Sequence, residues 1–341
     1  FGRALARHRV EARGAALGFL YVDGHVRVYH GKRKLPKAHV ARMRLCMPAT
    51  TDYWVNDAVG EPLFVITAEA NAGMVKMLPP ILDEVRSLVG KRPVTIGFDR
   101  GGWSPRLFQK IVAAGFDILT YRKGRFRRVP RRLFRTRNAT IDGRKVSYML
   151  ADQSVHLLGG KLRLRQVTRL SDNGHQTPVI TSRRDLKDFE VAFRMFERWR
   201  QENFFKYLRE EYALDALADH QAEPADPERE VPNPAWNALA AELHQARAEV
   251  VRLSAHLGLE AFANPESVRR TMRGFKIAHA PQSRDLVAAL NHHATLEARR
   301  ASVPRRVPVR QAIEGPIVQL AVERKHLTNL LKMTAYQAEG D

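Results

Sequence analysis

The chain has 341 residues, 57 of them Lys or Arg and 36 Asp or Glu, for a formal net charge of +21. At 44% hydrophobic and 27% charged the composition is globular, and no run approaches the roughly 18 apolar residues of a membrane span, so a disordered chain and a transmembrane protein are excluded. The single cysteine, Cys46, excludes an internal disulfide and a multi-cysteine zinc site; it reads as a packed thiol in a reducing compartment. The opening FGRALARHRV has no initiator Met and no signal-peptide core, and reads as a fragment or processed form lacking an N-terminal portion.

Residues 17–30, LGFLYVDGHVRVYH, place two β-rich runs about Asp23-Gly24, which predicts a hairpin. The basic cluster GKRK follows at 31–34, and PLFVITA at 62–68 predicts a third strand. Apolar spacing from Met74 to Leu88 predicts a helix stopping at Gly90, with a break or kink at Pro79-Pro80. Residues 93–98, PVTIGF, predict a buried strand ending at Asp99. Ser104 is an N-cap with Pro105 at the first helical position, and that helix ends at Gly115. Residues 116–121 return as a strand. The order predicts an α/β layered sheet.

Residues 121–137, YRKGRFRRVPRRLFRTR, hold nine Lys/Arg and no acid. Cations at this density suit a nucleic-acid backbone, and Tyr121, Phe126 and Phe134 among them could stack on unpaired bases. A solvated basic face is the plainer alternative. From 125 to 182, short β-like runs separated by turns predict a β-rich insertion, and a helix is expected over 185–217. Residues 221–234 are an acidic, proline-bearing linker. Beyond it Trp236, Leu239, Leu243, Ala246, Val250, Leu253 and Leu257 form a three-heptad seam closed by Gly258. That seam suits an amphipathic helix on its own domain, a helical hairpin arm or a short dimer contact. His292-His293 read as structural or surface residues. A Pro/Arg linker at 302–310 and an amphipathic helix at 316–338 complete the chain.

Three carboxylates are placed unusually. Asp23 and Asp99 each end an apolar strand, and Glu202 lies in a helix between Trp199 and Phe205. Ligands of open α/β sheets gather beyond strand ends, so the three could converge there. Such a cluster repels itself unless divalent cations relieve it, and two magnesium ions about 4 Å apart would serve phosphoryl transfer. Taken singly, Asp23 also fits a hairpin turn, Asp99 a turn leading into a helix, and Glu202 an ion pair with Arg198.

The segments YVDGHVRVYHG, TIGFDRGGWSPRLF and FERWRQENFFKYLREEYALDAL resemble the DDE transposases of bacterial insertion sequences, in the group with a β-strand insertion between the second Asp and the Glu. The resemblance covers roughly residues 15–220. That group carries a Tyr-x-x-Arg-x-x-x-Glu-x-x-x-x-x-x-Lys signature. Arg198 and Glu202 match it, Met195 stands in place of Tyr, and Arg209 in place of Lys.

The resemblance implies an RNase H-like core with flanking helices. Its first part would span 1–124, the β-rich insertion 125–182, and the core helix carrying Glu202 183–220; a linker at 221–234 and a C-terminal helical region at 235–341 follow. Asp23, Asp99 and Glu202 would be catalytic and hold two Mg²⁺, with Mn²⁺ a substitute. Arg198 would meet DNA phosphate or brace Glu202, and Arg209 would meet DNA phosphate, as would Arg122, Lys123, Arg125, Arg127, Arg128, Arg131 and Arg132 of the basic run. The implied reaction is nicking at the ends of an insertion sequence followed by attack of the freed 3′-hydroxyl on target DNA, in a homo-oligomer assembled on DNA in the bacterial cytoplasm at the nucleoid. A catalytically inactive, transposase-derived DNA-binding protein is the alternative, and a structural or oligomerisation protein a third reading.

Overall fold

The computed structural model describes residues 1–340 apart from 41–42, 69–71, 217–219 and 264–278, and describes positions 15–16 and 199–202 by backbone alone. Helix α1 (Gly2–Ala12) precedes strands β1 (Phe19–Val28), β2 (Lys37–Val40), β3 (Leu45–Asn56) and β4 (Pro62–Ala68). Helix α2 (Met74–Val89), β5 (Thr95–Phe98), α3 (Pro105–Ala113) and β6 (Asp117–Tyr121) follow. Strands β7 (Arg135–Ile141), β8 (Arg144–Leu157), β9 (Leu162–Leu170) and β10 (Gln176–Thr181) lead to α4 (Asp188–Phe196) and α5 (Trp199–Tyr212). After β11 (Ala222–Pro224) and β12 (Glu230–Pro232) come α6 (Pro234–Ala263) and α7 (Ala280–Ser302). The chain closes with β13 (Arg306–Pro308), α8 (Val309–Ala312), β14 (Val318–Leu320) and α9 (Val322–Gly340). Two units form: Phe1–Glu223 with Val318–Asp341, and Pro224–Ile317.

The first unit is built on one mixed sheet of order β2-β3-β1-β5-β6-β10-β9-β8-β7, with β4 on β3. Strands β1, β5 and β6 run parallel, and the other pairings are antiparallel. This is the mixed α/β class expected from the sequence. Strands β7–β10 continue the same sheet, because β10 joins the edge of β6 through Val179↔Tyr121. On one face Leu20, Val22, Ile96 and Phe98 pack against Leu78 and Ile81 of α2 and Phe108 of α3. On the other, Trp54 and Val65 meet Phe204, Phe205 and Leu208 of α5 and Met333 of α9.

Several expectations are corrected. Asp23-Gly24 does not turn: β1 runs straight through it, paired on one side as Asp23↔Trp54 and Gly24↔Tyr53. Gly24 serves close packing, since a Cβ there would sit 3.0 Å from the Tyr53 ring. Helix α2 continues through Pro79 and Pro80 without the expected break. The carbonyls that lose their partners belong to Val75 and Lys76, both exposed residues, where solvent can satisfy them. The helix expected over 185–217 divides into α4 and α5 at Glu197-Arg198, and its expected end at 217 lies outside the described residues. Helix α6 passes through Gly258. Cys46 is exposed rather than packed. Helix α1 was not expected at all; it buries Ala6 and Val10. Ser104 caps α3 as read, accepting from the Leu107 N–H, and Gly115 follows the helix at φ +78.

In the second unit α6 and α7 pack together through Leu239, Leu243, Ala246 and Leu296. Strand β12 pairs antiparallel with β13, and Arg300 and Arg305 lie over the Trp236 ring at 5.5 and 5.3 Å. His293 Nδ1 is 3.8 Å from Glu297 and His292 is exposed. Among the described residues no helix is long and apolar enough to cross a membrane.

Helix α9 is tied to the sheet by a buried charge cluster. Asp52 of β3 is 2.6 Å from Arg27 Nη2 of β1 and 3.0 Å from Lys325 Nζ of α9. Burial alone would push the Asp52 carboxyl up, but the two cations outweigh it and hold its pKa below the ordinary value. Removing the shared anion strands two buried cations. Asp52→Ala is therefore expected to cost about 3–5 kcal/mol, read from the urea midpoint at pH 7. Because the folded-state pKa is lowered, this stabilisation is whole above about pH 4, the unfolded carboxylate's range, and is lost as pH falls through the folded-state value. The Asp52→Ala protein should accordingly lose less stability than the parent on acidification below that range.

Candidate active site

Two adjacent parallel strands each deliver an aspartate. The β1–β5 ladder ends on the pair Val22↔Phe98, and Asp23 and Asp99 are the next residues on each chain. Asp99 turns out of β5 as the cap of a single 3-10 turn, its Oδ1 accepting from the Gly101 N–H at 2.7 Å. Asp23 Oδ1 accepts from the Gly24 N–H at 3.0 Å.

Side chains alternate along β1, so Tyr21, Asp23 and His25 share one face. Each meets a successive part of α4 and α5. The Tyr21 hydroxyl donates to the Arg194 carbonyl at 2.7 Å. Asp23 Oδ2 lies 3.6 Å from Arg198 Nη2. His25 stacks on Phe205 with ring centroids 5.2 Å apart, and its Nε2 is 2.8 Å from Asp215 Oδ1. Helix α5 thus starts beside Asp23 and runs towards His25. Glu202 occupies the turn between Arg198 and Phe205, four residues past the first and three before the second. Its side chain lies outside the described residues. Met195, where the signature has Tyr, is fully buried with Leu119, Val167 and Val191.

The carboxylates have an electrostatic signature in Tyr53, across from Gly24 on β3. Its pKa is pushed up to about 12, first by burial and then by the negative charges of Asp99 and Asp23. The phenol stays protonated at neutral pH and donates to the Ala72 carbonyl at 2.7 Å. Among the described residues no group of three or more His, Cys, Asp or Glu could hold a metal. The Asp23–Asp99 pair alone offers hard oxygen donors of the kind magnesium takes, and one or two carboxylates suffice when substrate phosphate and water complete the shell.

The basic run lies against this end of the sheet. Arg122, Lys123, Arg125 and Arg128 line a cleft of about 810 Å³ that also takes in Arg100, next to Asp99, and the turn at 173–176. Arg127, Arg131 and Arg132 are exposed outside the lining, and Arg209 is exposed in the last turn of α5. Of the three aromatics read as base platforms, only Phe126 lines the cleft. Phe134 is buried with Val129, Ala151 and Leu170, and Tyr121 packs on Phe196. Sequence reading did not single out Arg100, Tyr53, or the turn Asn173-Gly174-His175-Gln176. Of these only Arg100 carried a signal, its place directly after a strand-end aspartate.

The site's geometry depends on Gly97. A Cβ there would fall 2.5 Å from Tyr21 Cδ1, so only glycine leaves room for the ring that reaches α4. Gly97→Val is expected to displace Tyr21 from the Arg194 carbonyl and to destabilise the fold by about 1–3 kcal/mol in urea unfolding.

Structural comparison finds weak likeness to two solved complexes. The cryo-EM structure of the piggyBac transposase synaptic complex with hairpin DNA superposes with a TM-score of 0.38 at 10% identity, over 56% of this chain and 40% of that one. The crystal structure of the Mos1 mariner paired end complex with Mn gives a TM-score of 0.21 at 10% identity, over 34% of this chain and 39% of that one. The chain therefore spans about two fifths of either solved chain. No curated protein matches it. A family model described as a transposase protein matches residues 1–340, nearly the whole length, and the chain belongs to that transposase family.

Proposed function

We propose that the chain is a DDE-type DNA transposase of a bacterial insertion sequence, with an RNase H-like core that cuts and joins DNA by in-line phosphoryl transfer at Asp23, Asp99 and Glu202. The observation that carries this reading is the pairing of Asp23 and Asp99 at neighbouring parallel strand positions, with α5 running past Asp23 and an acid-free basic cleft alongside. Position 202 is bracketed by Arg198, which meets Asp23, and Phe205, which meets His25. Divalent magnesium or manganese held by these carboxylates would supply the Lewis acidity that the transfer needs.

The chain's own groups prepare the site. The Gly101 amide fixes the Asp99 carboxylate. Arg198 balances the charge of Asp23 and lies within reach of a phosphate brought to the same point. Tyr53 remains neutral and adds no third anion. In the transfer, the attacking oxygen bonds to phosphorus while the P–O3′ bond breaks. Arg122, Lys123, Arg125 and Arg128, with the exposed Arg127, Arg131, Arg132 and Arg209, supply the charge that holds the DNA backbone, so binding should weaken steeply with salt. A homo-oligomer on element ends and target DNA, in the bacterial cytoplasm at the nucleoid, follows from the same resemblance.

One observation favours the second reading, an inactive DNA-binding derivative. Met195 fills the signature Tyr position as packed core. Cleavage and joining of element-end DNA with Mg²⁺ separates the two. The parent chain is expected to cut and join, with Asp99→Ala and Glu202→Gln slower by about 10⁴-fold or more while still binding DNA. Salt-sensitive binding without cutting by the parent chain would favour the inactive derivative. Equal activity in the variants would remove these carboxylates from the mechanism.

A further inference from the structure

The cleft beside Asp99 is held open by its own frame. Where the chain leaves β6, the Arg122 N–H donates to the Pro178 carbonyl at 2.9 Å. The Gln176 side chain clamps Val129 from both sides, accepting from its N–H at 2.9 Å and donating to its carbonyl at 2.8 Å. Arg128 Nη2 donates to the Gly174 carbonyl at 2.7 Å. The facing turn is closed by Gly174 N–H to Ser171 O at 2.8 Å. A ligand entering this space need not organise it first, which lowers the cost of binding.

Its charge is one-sided. Arg100, Arg122, Lys123, Arg125 and Arg128 line it and no carboxylate does. None of the five forms an ion pair among the described residues. Arg122 Nη1 reaches only a neutral acceptor, Gln166 Oε1 at 2.5 Å, and burial pushes its pKa below the ordinary value. Cations gathered this way repel one another, and an anion of more than one charge relieves them better than a singly charged phosphodiester. The Arg100 guanidinium lies over the Tyr121 ring at 5.7 Å, one residue along the chain from Asp99.

We propose that this cleft holds the 5′-phosphate monoester that strand cleavage leaves beside the carboxylates. The proposal rests on the transposase reading and adds the product group to it. In hydrolytic nicking, the water oxygen bonds to phosphorus and the P–O3′ bond breaks. One proton ends on the departing 3′ oxygen and the other passes to solvent. The phosphate remains on the 5′ strand, and its charge rises from −1 to nearly −2 at neutral pH, since a monoester's second pKa is about 6. The cleft therefore gains attraction for the phosphate at the moment of cutting, and keeps the severed strand next to the freed 3′-hydroxyl.

The test uses the full chain in EDTA, so that binding is measured without cutting. Nicked duplexes identical except for a 5′-phosphate or a 5′-hydroxyl at the nick are compared at one salt concentration. The phosphorylated nick should bind about tenfold tighter or more, the equivalent of one added charge-assisted hydrogen bond. Arg100→Gln alters an exposed side chain, and should erase that preference while changing affinity for the hydroxyl nick much less. Arg125→Gln, which also removes a contact to the DNA backbone, should weaken both nicks, the phosphorylated one more, and erase the preference too. Inorganic phosphate, the other source of the same dianion, should compete for the phosphorylated nick only. Equal affinity for the two nicks, or a preference that survives both substitutions, overturns the proposal. Either result leaves the Mg²⁺ cleavage assay to judge the transposase reading separately.

Discussion

Strand β1 lies in the interior of the sheet, paired antiparallel to β3 and parallel to β5, and it is covered on both faces. Its alternation divides labour. Leu20 and Val22 face α2 and α3, while Tyr21, Asp23, His25 and Arg27 face the side of α4, α5 and α9. A slip of one residue would exchange these two sets, sending an aspartate and an arginine into the apolar layer. Register is thus strongly specified, and the same specification sets Asp23 level with the end of β5. Helix packing and carboxylate placement are one constraint, because the residues that moor the helices alternate with those that fill the core.

Asp99 and Arg100 stand side by side at this end of the sheet without pairing. Asp99 is occupied by the Gly101 amide, while the neighbouring Arg100 guanidinium is turned over Tyr121. The loop after β6 is secured by backbone and amide contacts from Gln176 and Pro178 rather than by acids. Its cations therefore keep their full charge for a ligand. Had the loop been fastened by salt bridges, the same number of basic residues would have offered a polyanion far less.

What could be read from the sequence was local. The Ser104-Pro105 start and the Gly115 stop of α3 are decided within a few residues, and the structure has both. The strand ending at Asp99 was visible for the same reason. Asp23-Gly24 misled because turn preference is a weak force beside two partner strands. Pro79-Pro80 did not break α2 because the carbonyls that lose their partners belong to exposed residues, and Gly258 did not stop α6 because a glycine inside a long helix costs only about 1 kcal/mol. The cluster Arg27–Asp52–Lys325 joins residues from both ends of the chain, and no spacing rule reaches that far. Which aromatic of the basic run is free depended on β10 joining β6 and on Phe134 sinking into a small core with Leu170. Asp23, Asp99 and the helix bearing Glu202 were identifiable as candidates, yet the side-by-side setting of the two aspartates needed the β1–β5 pairing.

The return of α9 to the first unit sets a schedule for synthesis. Lys325, Met333 and Gln337 complete the layer over β1, β3 and β4, the last by donating to the Pro62 carbonyl at 2.7 Å. They leave the ribosome only after the whole of 224–317 has emerged. Until then Asp52 lacks its ammonium partner and Trp54 lacks part of its cover, so the nascent sheet waits with one side unfinished. The layer over β3 and β4 is thereby completed only once translation of the helical excursion is over.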